Sequence, residues 1–185
     1  MARNVHERRV PVPAATAEAL LDSLAGPEDR SWPRQQWPAM RFDRPLGVGA
    51  TGGHGPVRYT VEEYIPGQRV RFRFHAPAGF DGYHEYEVLA EGDTECRLRH
   101  SVVMTPRWPA WLTWPLIFGP LHDALIEDSL DTATRALGLP VPAPRRWPLR
   151  VRLLRALAQA ARQRRPTPPA TRPEAAHRRE TTRTS

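Results

Sequence analysis

The chain of 185 residues has no lysine, so all 27 of its cationic side chains are arginine. With 21 prolines and abundant alanine, that usage reads as gene base composition rather than selection for guanidinium chemistry. A single cysteine, Cys96, excludes an intramolecular disulfide. Long hydrophobic runs are missing as well. The longest uncharged stretch, Trp108 to Leu121, has 14 residues and three prolines, too short and too broken for a span of about 20 apolar residues. The early alternation of charge at the N-terminus is unlike a signal peptide, and a cytoplasmic location is expected. No Gly-Lys-Ser/Thr follows the glycines, which excludes a P-loop. Histidine and cysteine ligand spacings such as H-x-H, H-x₃-H and C-x-x-C are absent, so no metal and no cofactor is expected.

Charge is divided along the chain. Residues 1–140 carry 15 Arg against 18 acidic residues, a net of −3, and residues 141–185 carry 12 Arg against 2, a net of +10. The basic balance therefore belongs to the tail. It lacks the interleaved aromatics of a single-strand binder, and no nucleic-acid partner is expected.

The strongest periodic signal is Phe118 to Gly138, FGPLHDALIEDSLDTATRALG. Leu121, Leu125, Ile126, Leu130 and Leu137 fall on one half of a helical wheel, and Asp123, Glu127, Asp128 and Asp131 on the other. Pro120 suits a first turn, and Gly138 with Pro140 forms a stop. Small or polar residues, His122, Ser129, Ala133 and Ala136, occupy the middle of the apolar arc. A helix that only filled a core would place its largest side chains there, so this face is expected to leave room for a ligand.

Upstream, residues 3–12 predict a first strand and Thr16 to Leu24 a short helix. Two Trp-Pro steps follow, and five of the six tryptophans precede proline. Residues 47–56, GVGATGGHGP, contain a literal G-x-G-x-x-G, but a strand follows it where a dinucleotide fold needs a helix, so a turn between strands is the reading. Then comes an antiparallel meander. Strands 57–65 and 69–74 flank the Pro66-Gly67 turn, which pairs Tyr59 with Phe74 and Val61 with Phe72 on one face. Glu63 falls on that face too and is expected at a cavity mouth. Strands 82–89 and 95–104 flank Gly92-Asp93. A loop that opposes Val88 to Leu98 pairs Tyr86 with His100 and turns His84 inward, whereas a one-residue slip would turn Glu85 and Glu87 inward.

One strand, a short helix, a long meander and a closing helix resemble the helix-grip fold of the START-like superfamily, also called SRPBCC or polyketide cyclase/dehydrase-like. The match covers about residues 3–138. GGHGPVRYTVEEYIPG at 52–67, GFDGYHEYEV at 79–88 and WPLIFGPLHDALIEDSLD at 114–131 look like an uncharacterised bacterial branch of it. The resemblance implies an α+β domain over 1–140, with a curved antiparallel sheet wrapped around the long C-terminal helix and an apolar cavity between them. It supplies no universal catalytic motif, so no catalytic residue is carried over.

The cavity wall is expected from Tyr59, Val61, Phe72, Phe74 and Tyr86 on the sheet, with His100 from its last strand. His122, Ser129 and Ala133 would contribute from the helix. Ser129 lies about 10 Å along the helix from His122, too far for a nucleophile–base pair. Two function classes stay open: a binding protein for a hydrophobic small molecule such as a lipid or polyketide, and a polyketide cyclase or dehydratase using the same cavity. Residues 141–165 read as a basic amphipathic helix, with Leu149, Leu153, Ala156, Leu157 and Ala160 on one face. It suits either docking on its own domain or an anionic membrane surface, peripheral to the inner face. Residues 166–185 read as disordered.

Overall fold

The computed structural model describes residues 1–141 and 146–163. The 166–185 tail lies outside the described residues. Seven strands form one antiparallel sheet: β1 (Ala2–Val10), β2 (Arg41–Phe42), β3 (Thr51–His54), β4 (Val57–Ile65), β5 (Arg69–Ala76), β6 (Phe80–Ala90) and β7 (Cys96–Pro106). Their order is β1-β7-β6-β5-β4-β3-β2, so the first strand closes beside the last. Helix α1 (Ala14–Asp22) follows β1. After β7 come α2 (Ala110–Thr113), a π-helical turn over Trp114–Phe118, the long helix α3 (Gly119–Ala136) and α4 (Leu149–Gln163). The architecture is α+β, with the sheet gripping α3.

The β4–β5 turn closes through Gln68 N–H to Ile65 C=O at 3.0 Å, and Gly67 takes the left-handed φ of 72° that such a turn requires. Tyr59 opposes Phe74 and Val61 opposes Phe72, as the alternation predicts. Past Val61 the register shifts by one residue, so Glu63 opposes Arg71 and Tyr64 opposes Val70. This bulge corrects the expected mouth position of Glu63. Its carboxylate turns to the arginine face, 2.6 Å from Arg69 and 3.7 Å from Arg71, where water and two guanidiniums lower the cost of the charge. Tyr64 donates to Asp22 at 2.8 Å instead. In the second hairpin Tyr86 opposes His100 and Val88 opposes Leu98, and His84 is buried on the inner face.

The outer face is a lattice of Arg–Glu pairs: Arg71 to Glu85 at 2.8 Å, Arg73 to Glu62 at 2.7 Å, and Arg97 and Arg99 to Glu7 at 2.9 and 2.6 Å. Of these, Glu85 is buried under its arginine, while the exposed pairs each contribute about 0–1 kcal/mol and so solubilise the sheet more than they hold it together. Stability comes from the other face, where Tyr59, Phe72, Val61, Val70 and Met104 are fully buried with Ile126 of α3.

The helical region starts earlier than the sequence indicates. Pro115 has no N–H to donate, yet the chain stays helical from Ala110 by widening one turn, and Pro120 takes its expected place in the first turn of α3. Gly119 N–H reaches Trp114 C=O, five residues back. Strands β2 and β3 are not legible as strands, the first being two residues long and the second short and glycine-rich.

At Gly82, opposite Met104, β6 leaves no room for a side chain against β7. A Cβ there would stand 2.2 Å from the Val103 carbonyl oxygen and 2.5 Å from Met104 Cα. Gly82→Ala is therefore expected to lower the unfolding free energy by about 1–3 kcal/mol with the far-ultraviolet circular dichroism unchanged. A denaturant midpoint equal to the parent's would show that the two strands part without cost.

Candidate functional site

Alternation along β5, β6 and β7 places Phe74, Phe80, His84, Tyr86 and His100 on the concave face. Opposite them the first half of α3 presents Leu121, His122, Leu125 and Ile126. Between the two lies a cavity of about 610 Å³. Its remaining walls are Trp32 and Trp37 from the loop after α1, His54 from β3, Trp114, Ile117 and Phe118 ahead of α3, and Leu154, Leu157 and Ala158 of α4.

Four histidines meet this space. The His84 ring stacks on Phe72 and Phe74 with centroids 4.8 and 4.9 Å apart, and its Nδ1 is 3.2 Å from His100 Nε2. Tyr86 meets His100 edge-on at 4.4 Å, and His122 lies 4.9 Å from His100. His54 Nδ1 is 3.0 Å from the Tyr59 hydroxyl. Among the described residues, His84 Nε2, His100 Nδ1, both nitrogens of His122 and the Tyr86 hydroxyl are buried without a hydrogen-bond partner. A buried polar atom left unsatisfied costs about 1–3 kcal/mol, which a ligand's polar end would recover.

Burial sets their charge. It pushes His54 down to about 3 and His84 and His100 well below the ordinary range, and it lowers His122 despite the nearby Asp123. All four are neutral imidazoles at neutral pH. Outside the cavity His6 behaves oppositely: burial opposes its charge, but hydrogen bonds to Asp123 and Glu127 raise its pKa. His6, His122 and Asp123 bring one ligand atom each within 4.8 Å of one another and could hold a metal ion. His6 Nδ1 already meets Glu127 at 2.8 Å, and Asp123 Oδ1 already accepts from Asn4 at 2.8 Å, so an imidazolium bridging two carboxylates accounts for the cluster.

Of the residues expected to face a ligand, Phe74, Tyr86, His100 and His122 line the large cavity. Tyr59, Val61 and Phe72 are fully buried behind that wall. Ser129 and Ala133 lie elsewhere, beside α1 in a void of about 40 Å³ with Ala17, Leu20 and Leu24. Ser129 donates to the Ser31 carbonyl at 3.0 Å. These small residues of α3 face the void beside α1 and the loop after it rather than the large cavity. Sequence reasoning left Trp32, Trp37, Trp114 and His54 out of the wall, although the Trp-Pro steps were the visible signal.

Helix α4 docks by a side other than its leucine stripe. Val151 is buried and Leu154 half-buried, whereas Leu149, Leu153 and Leu157 are exposed. The Arg155 guanidinium sits 4.1 Å from the Trp37 ring and 4.0 Å from the Trp147 ring. Both indoles donate to Asp128 of α3, at 2.8 and 3.0 Å. Among the described residues no helix is long and apolar enough to cross a membrane.

No family model matches the chain, and no curated protein matches it in sequence. Solved structures do match in fold. A Thermobifida fusca protein solved by NMR is 18% identical, with a TM-score of 0.56 over 75% of this chain and 94% of that one. CalU16 from Micromonospora echinospora is 14% identical, with a TM-score of 0.52 over 85% of this chain and 84% of that one. Norcoclaurine synthase from Thalictrum flavum, in complex with dopamine and hydroxybenzaldehyde, is 14% identical, with a TM-score of 0.54 over 76% of this chain and 89% of that one. The fold is the helix-grip fold of the START-like proteins.

The neutral histidines give a signed prediction. A histidine free in the unfolded chain ionises near about 6.5. Because His54, His84, His100 and His122 ionise lower when folded, their contribution is present above that pH and lost as the pH falls. His6 works the other way, adding stability below it that fades as the pH rises, but it is one group against four. Between about pH 7.5 and 5 the unfolding free energy should fall, and the melting temperature with it, with a free-energy slope approaching about 1.4 kcal/mol per pH unit for each proton taken up on unfolding. A flat profile would show that the four are not held neutral.

Proposed function

We propose that this protein, a helix-grip domain, binds a hydrophobic small molecule in the cavity between the sheet and α3, with one polar end against the histidines. The observation that carries this reading is the pairing of an apolar wall with unsatisfied polar atoms on Tyr86, His84, His100 and His122. Ligand sites have this character: about 300–1,000 Å³, mostly apolar, with a few convergent polar groups. A lipid, polyketide or aromatic molecule of similar size and polarity fits it.

The alternative is an enzyme of the cyclase or dehydratase type, with the hydrogen-bonded His84–His100 pair moving protons. Norcoclaurine synthase, with the same fold, is an enzyme. The same burial that keeps these imidazoles neutral makes them weak bases, however, and a general base works best with a pKa near the operating pH. Donating or accepting a hydrogen bond needs no such match, so binding is the reading the site favours.

Two variants test it with an apolar fluorescent probe bearing a hydroxyl group. Leu121→Trp, which fills space at a half-buried wall position, is expected to weaken probe binding tenfold or more while leaving the melting temperature nearly unchanged. Tyr86→Phe keeps the ring and removes only the unpaired hydroxyl, so it should leave stability intact and weaken the probe about 3- to 10-fold, the equivalent of one hydrogen bond. Failure of the parent protein to bind any such probe would sink the proposal.

A further inference from the structure

Beside the cavity mouth the protein exposes an apolar surface that its own fold does not cover. Trp108 is 70% exposed and Trp111 56%, with Leu112, Leu116 and Ile117 open on the same short helical segment. The outer stripe of α4 continues it with Leu149, Leu153 and Leu157. Arg150 joins the two, donating to the Pro115 and Leu116 carbonyls at 2.7 Å. Monomeric proteins seldom leave this many large apolar side chains together in water.

Charge selects the occupant. No aspartate or glutamate occurs in residues 96–122 or 132–173, so both segments are free of acid. Asp81 occupies Arg107 at 2.8 Å, but Arg146 and Arg152 are exposed with no ion pair among the described residues. A second copy of the chain would bring the same cationic rim against itself. An anionic bilayer instead offers phosphate and carboxylate groups at the depth of the arginines and an acyl boundary for the leucines, with tryptophan favoured at that interface.

We propose that α2, the π-helical turn and the outer stripe of α4 form a docking surface for an anionic membrane. The cavity then opens onto the bilayer, because Ile117 and Leu157 belong both to its wall and to the exposed surface. That last consequence, a ligand entering from the lipid phase, rests on the binding reading above. The docking itself does not.

The full chain would be sedimented with vesicles of phosphatidylcholine alone and of phosphatidylcholine containing about one quarter phosphatidylserine. Binding is expected only to the anionic vesicles and should weaken as salt rises from about 0.05 to 0.5 M. Trp111→Glu with Leu153→Glu changes two exposed side chains that are not part of the cavity wall. This double variant should lose vesicle binding at least tenfold yet bind the soluble probe as the parent does. Leu121→Trp should show the reverse pattern, so failure of docking and failure of ligand binding are separable. Equal sedimentation of the double variant and the parent would assign the attraction to the basic tail and overturn the proposal. So would equal binding to neutral vesicles, or a dimer in solution that the double variant abolishes.

Discussion

The contact on which the architecture depends is a polar seam between an edge strand and a helix. Asn4, His6 and Arg8 recur every second residue on the inward side of β1, and Asp123, Glu127 and Asp131 recur every fourth on α3. Asn4 meets Asp123 at 2.8 Å, His6 meets Glu127 at 2.8 Å, and Arg8 meets Asp131 at 2.7 Å. The match is metric. Two strand residues advance about 6.6 Å and four helical residues about 6.0 Å, so three rungs stay in step before the periods drift apart. The seam anchors α3 against the β1 edge. The sheet's other half, from β3 to β7, curves away and is left to be filled by aromatic rings, by the tryptophan loop, or by a guest.

That division explains why the cavity is where it is. Beside its second half, Ser129 and Ala133 of α3 share a small void with α1, and Ser129 ties the helix to the loop after α1. Over its first half no helix covers it on the sheet side, and the space between Leu125 and Phe74 remains. Histidine rather than leucine at positions 84, 100 and 122 makes that space chemically unusual. Neutral imidazoles are dipoles with a donor and an acceptor each, so they can meet a ligand hydroxyl, carbonyl or phenol without importing charge into a desolvated site.

Where pairing is set by a turn and a period of two, the sequence was readable to single residues: Tyr59 opposite Phe74, Tyr86 opposite His100. It failed where one residue breaks the period, as at Glu62, because a bulge changes no composition and only the tertiary partners of Glu63 and Tyr64 decide it. Nor does the sequence show the helical stretch ahead of Gly119, because Pro115 lacks a donor and a wider turn absorbs that loss. The seam itself was invisible for another reason. Its two halves are 119 and more residues apart, and each alone reads as an ordinary solvated face. On α3 the small residues mark a gap, but a gap in one helix does not say which neighbour fills it.

The tail helix meets the same limit. Amphipathicity alone leaves open what the leucine stripe of α4 faces, and an arginine takes the inward place because two indoles and a carboxylate are there to receive it. The Arg155 guanidinium lies against both the Trp37 and Trp147 rings, which meet each other edge to face, and Asp128 accepts from both indoles, so a cation, two aromatic rings and an anion form one half-buried unit. Each member orients the next. Once Arg155 is fixed, helical geometry carries Leu154 and Ala158 to the cavity, turns Leu149 and Leu153 to the outside, and leaves Leu157 at the rim between the two. The helix that completes the wall is thereby the helix that presents apolar surface at its edge, and neither property can be altered at Trp37, Asp128 or Trp147 without disturbing the other.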